Sequence, residues 1–111
     1  MYTEFVSNGR TKGYTMYKLV DNISKETVMT LTEAQHNVIL KIREANTRMI
    51  RYQDQADLYR QTEYDEDMAK NYERWSEEMY TLCKGMLAAF RIMSEYDLSL
   101  PSALFDKIEE I

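Results

Sequence analysis

Few side chains in this sequence could do chemistry, and their types and spacing argue against most of it. The single histidine, His36, stands three residues after Glu33. Glu-x-x-His is the spacing used by helical di-iron bundles, but such a site needs the motif twice. It occurs once, so His36 is expected to be a polar residue on the first turn of a helix. The single cysteine, Cys83, falls on an apolar arc and, in the helical hairpin expected below, its side chain lies away from any Lys or His that would lower its pKa. An inert buried thiol is expected there. A zinc site needs about four Cys/His-type ligands, and the chain has two such residues. Asp54/Asp57 and Asp65/Asp67 are carboxylate pairs, but exposed helix carboxylates are usually just solvated. There is no Gly-rich phosphate loop. The residues predict neither an enzyme nor a bound metal or cofactor.

What the sequence does offer is contact chemistry. Nine Tyr, eight Met and one Trp are many for 111 residues, while one Pro and three Gly are few. Tyr, Trp, Met and Arg are the types enriched at interface centres. Whether they can act together depends on the elements that carry them.

Those elements are mainly helical. Met68, Tyr72, Trp75, Met79, Leu82, Met86, Ala89, Met93 and Tyr96 step alternately by 4 and 3, the seam of a heptad repeat. A second seam of the same steps runs through Val38, Ile42, Ala45, Met49, Tyr52, Ala56 and Tyr59. Thr32 with Gln35 forms a capping box ahead of the first helix, expected over residues 33–61. Continuing its heptad would place Glu63, Glu66, Lys70 and Glu73 in the seam, so the register fails near residue 62. Gln61 to Tyr64 is read as a tight turn and Thr62 as the cap of a second helix over residues 65–96. The two then form a long antiparallel, coiled-coil-like hairpin, with Tyr52 facing Trp75 and Met49 facing Met79. Arg48 and Arg51 are expected beside Glu73, Glu77 and Glu78. An unbroken rod of roughly 95 Å is the alternative.

Around the hairpin, residues 1–31 read as a small N-terminal antiparallel sheet. Its strands are Tyr2 to Val6, Tyr14 to Val20 and Thr27 to Leu31, with an Asn8-Gly9 turn after the first. Pro101 suits the first position of a short C-terminal helix over residues 101–110, whose Leu104, Phe105 and Ile108 would dock as a stripe. Gly85, inside the second helix, is expected to admit a close neighbour. The whole is one α+β domain, mainly α.

The net charge of −5 is uneven. Residues 1–31 and 32–62 each carry +1, and residues 63–111 carry −7. Such a surface repels phosphates and favours a basic partner. No apolar run is long enough to span a bilayer, and with one cysteine a cytoplasmic setting is expected.

At the narrow end of the hairpin, Tyr52, Tyr59, Tyr64, Met68, Tyr72 and Trp75 form an aromatic tip ringed by Glu63, Asp65, Glu66 and Asp67. The expected function is binding of a protein with a basic surface through this tip. In general look, a small Tyr- and Met-rich acidic chain with a hairpin sheet and long helices is similar to accessory proteins of phages and other mobile elements. That likeness implies an inhibitor that docks on a host protein. Two alternatives stand beside it: assembly by homo-oligomerisation through the helices, as a dimer, and nucleic-acid binding through Lys41, Arg43, Arg48 and Arg51.

Overall fold

The computed structural model describes residues 15–111. Helix α1, Glu33–Leu58, starts where the capping box places it. Thr32 Oγ1 accepts from the Gln35 N–H at 3.2 Å, and Gln35 Oε1 accepts from the Thr32 N–H at 2.9 Å. The helix widens into a π-helical turn, Tyr59–Glu63, and the chain reverses at Tyr64, whose φ of 54° and ψ of 34° are left-handed. Asp65, not Thr62, caps helix α2, Glu66–Ser94, by accepting from the Met68 N–H at 3.1 Å. The break falls where the register predicts it. The device that makes it is different, because Thr62 is used up inside the widened turn.

α1 and α2 lie antiparallel, giving extents of 67 × 31 × 24 Å and a radius of gyration of 18.8 Å. A compact chain of this size would have a radius near 13 Å. The protein is therefore a rod with a thicker base. All seven expected seam residues of α1 are buried or half-buried. On α2 the seam is displaced. The buried row is Ala69, Ser76, Cys83 and Phe90, each one residue past Met68, Trp75, Leu82 and Ala89. Small side chains let the helix backbones approach closely: Ser76 Oγ donates to the Met49 carbonyl at 3.1 Å, and Cys83 Sγ donates to that of Ile42 at 3.5 Å. Ser76 thus lies against the Met49 backbone. The ion pairs expected across the helices from Arg48 are absent among the described residues: Arg48 pairs with Glu44 on its own helix at 3.3 Å.

The base differs from expectation in one strand. β1 (Tyr17–Val20) and β2 (Thr27–Leu31) pair antiparallel, joined by a turn in which the Asp21 carboxylate accepts from the Ile23 and Ser24 N–H groups. The expected strand Tyr2 to Val6 and its Asn8-Gly9 turn lie outside the described residues. On the other side of β1 lies β3, Lys107–Glu110, antiparallel, so the sheet order is β2-β1-β3. The C-terminal helix α3, Leu100–Phe105, accordingly stops short of residue 110. Alternation suits Ile108 to a strand because it pairs with Leu19, buried at the centre of the sheet.

The core gathers here: Leu19, Leu31, Ile39, Ile42, Cys83, Phe90, Leu98 and Ala103 are sealed from solvent. Toward the apex from Ala45, the buried positions among the described residues are Ala56, Ala69 and Ser76, where α1 packs against α2. Gly85 departs from expectation: a Cβ there would meet nothing within 4 Å. Among the described residues no helix is long and apolar enough to cross a membrane.

Candidate functional site at the hairpin apex

The far half of the rod carries an aromatic row built from both helices. Tyr59 stacks on Tyr72 with ring centroids 5.6 Å apart, and Tyr72 meets Trp75 edge-on at 5.0 Å. Tyr52 closes the row, 6.0 Å from both Tyr72 and Trp75. These separations lie within the range of favourable aromatic pairs. The four rings and Met68 are all half-buried, so each keeps one side in solvent. The row is hence both a clamp between the helices and a surface.

Tyr64 stands apart from the row. At the apex it takes a left-handed backbone, which favours Gly or Asn, and its side chain is 86% exposed. It packs the fold neither by its backbone preference nor by its side chain.

Of the four acids, two have structural work. Asp65 caps α2. Glu66 is held by Arg60, which donates to both of its carboxylate oxygens at 2.9 Å and to Glu73 at 2.7 Å. The shared Arg60 guanidinium holds both Glu66 and Glu73 below the usual carboxylate range and is itself pushed upward by them. Glu63 and Asp67 are exposed and make no ion pair among the described residues. The acidic rim is thus narrower than the sequence implies. Arg60 escapes sequence reading because its partners lie six and thirteen positions on, across a turn rather than along a helix.

The other candidates separate. Arg43 is half-buried and donates to the carbonyls of Ala103, at 2.7 Å, and Asp106. Burial lowers its pKa despite nearby Asp106. Lys41 and Arg48 flank Glu44 at 3.8 and 3.3 Å. Arg51, the fourth member of the basic set, is exposed. His36 stacks on Tyr17 at 3.9 Å. Cys83 is sealed, and burial pushes its thiol upward. Among the described residues no group of three His, Cys, Asp or Glu is placed to hold a metal ion.

No family model, curated protein or solved structure matches this chain.

Proposed function

We propose that the protein is a non-enzymatic binding module that engages another protein through the apex of its hairpin. Tyr64 carries the reading. A fold-driven choice at a left-handed, solvent-facing position is Gly or Asn, and an exposed Tyr there suits an interface anchor better than a turn. The half-buried row of Tyr59, Tyr72 and Trp75 beside it supplies rigid apolar area, with Glu63 and Asp67 favouring a basic partner surface. Nucleic-acid binding is less favoured, since Arg43 faces the base and Lys41 and Arg48 share Glu44.

The test compares proteins captured from cell lysate by the wild type, by Tyr64→Asn and by Glu63→Lys/Asp67→Lys. Asn keeps the left-handed turn, so lost capture would not reflect misfolding. Ile23→Ser, at a 92% exposed position in the base, is the control. Loss of the same captured protein in both apex variants, with the control unchanged, supports the proposal. Equal capture by all four proteins refutes it.

A further inference from the structure

The face of the sheet turned away from the core carries a recess that neither the core nor the apex accounts for. Leu19 belongs to the core, so Lys18 and Val20, its neighbours on β1, project from the other face. Across the ladder Glu109 stands opposite Lys18, Lys107 opposite Val20 on one side, and Thr27 opposite Val20 on the other. With Lys25 from the β1–β2 turn, these side chains line a recess of about 230 Å³. Val20 is only 7% exposed and forms its floor. Three ammonium groups therefore reach one recess from a strand, a turn and a strand at the far end of the chain. The net charge of −5 does not cancel them, because at physiological salt a charge is screened over about 8 Å. The two carboxylates at hand are already committed. Asp21 accepts from the Ile23 and Ser24 N–H groups inside the turn. Glu109 lies between Lys107, at 3.2 Å, and Lys18, at 3.5 Å.

We infer that this recess binds a phosphoryl group, as free phosphate or as a phosphate monoester. Glu109 shows what a carboxylate does there: its two oxygens bridge two of the three ammonium groups. Lys25 is the third. Its backbone is left-handed, with φ of 65°, where Gly or Asn is favoured. Its Nζ makes one hydrogen bond among the described residues, to the Asn22 carbonyl at 2.8 Å, out of three donors. A phosphoryl group brings about −1.5 to −2 charges and three or more acceptor oxygens. That is enough to engage Lys25 together with Lys18 and Lys107, in competition with Glu109, and to leave an oxygen for the Thr27 hydroxyl. With Asp21 and Glu109 counted, the lining keeps one formal positive charge, so a dissociation constant of about 1 mM is the scale expected. This inference does not rest on the apex reading, because the sheet belongs to the base and Tyr64 to the other end of the rod.

The test follows backbone amide shifts of the isotope-labelled chain by NMR as inorganic phosphate is added to about 50 mM, well above a millimolar dissociation constant, with chloride holding the ionic strength constant. The expected result is a saturable shift confined to residues 18–27 and 107–109. Lys25→Asn keeps the left-handed turn, so the rest of its spectrum stays in place, yet it weakens binding about tenfold. Lys107→Gln weakens it by about as much. Glu109→Gln removes the competing carboxylate and tightens binding about fivefold. Two further probes separate the sources of the group. Saturable shifts with glycerol phosphate assign a soluble ester. Cosedimentation with vesicles of phosphatidylcholine mixed with phosphatidate, absent with phosphatidylcholine alone and lost in Lys25→Asn, assigns a lipid headgroup. Phosphate shifts that rise linearly over the whole range, or that chloride alone reproduces, overturn the inference. So does a dissociation constant unchanged in either lysine variant, or weaker binding in Glu109→Gln. None of these results bears on capture through Tyr64.

Discussion

Arg43 offers the sharpest test of how the base is held together. From α1 its guanidinium reaches the carbonyls of Ala103 and Asp106, tying α3 and the start of β3 to the helix hairpin. Replacing it with Met keeps the length and apolar stem but removes both donors. A hydrogen bond from a charged donor is worth about 1.5–3 kcal/mol when buried. The site is half-buried, so about 1 kcal/mol for each is the appropriate scale, and Arg43→Met should cost about 2 kcal/mol in all. For a domain of this size that is a fall in melting temperature of about 8 °C. Thermal unfolding followed by circular dichroism gives the global loss. Hydrogen exchange places it: the amides of Leu100–Phe105 and Lys107–Glu110 should speed up more than those around Tyr59 and Tyr72. Arg43→Lys should recover at most half the loss, since one ammonium cannot span both carbonyls in the manner of a planar fork. A change below about 0.5 kcal/mol, or exchange that quickens uniformly, would refute the view that Arg43 is a staple of the base.

Three further outcomes follow from the same structure. Gly85→Ala should stabilise the monomer by about 0.5–1 kcal/mol, because the helix gains propensity and the added methyl meets nothing; destabilisation in chemical denaturation at low protein concentration would show that a neighbour does approach there. Cys83 has a thiol raised in the folded state by burial, so its contribution is complete below the unfolded thiol pKa of about 8.5 and is lost as pH rises through the folded value. The stability gap between wild type and Cys83→Ala should therefore narrow above about pH 8.5; parallel curves would contradict this. Arg60→Met should leave the melting temperature nearly unchanged but quicken amide exchange at residues 59–66, since its two carboxylate partners hold the turn; unaltered exchange would remove that role.

The helices were readable because their signals are local and redundant. The Thr32/Gln35 box fixed where α1 begins, and the α1 seam from Val38 to Tyr59 faces its partner as the spacing predicts. The α2 seam misled by one residue because large apolar side chains draw attention in a heptad. Close helix contact instead selected Ala69, Ser76 and Cys83. Thr62 and Asp65 can each cap a helix, and a choice between them depends on the widened turn, which leaves no mark in the periodicity. β3 was hidden for another reason. Lys107–Glu110 holds one apolar residue, Ile108, and becomes a strand through pairing with residues some ninety positions earlier, information no local window contains. At the candidate site, the aromatic row was legible from its spacing. The Arg60 clamp that takes Glu66 out of the rim was not.

The sheet order β2-β1-β3 has a consequence for synthesis. The hairpin can zip from its apex as soon as both of its arms are made, since every layer joins neighbours in sequence order. The base cannot: β1, among the earliest described segments, keeps one edge open until Lys107–Glu110 arrives, and the Ile111 N–H then bonds the Met16 carbonyl at 2.9 Å. A ribosome-bound chain in which residues 107–111 have not yet emerged would present a finished spike above an unsealed foundation, leaving that bare strand edge as the place where premature aggregation would begin.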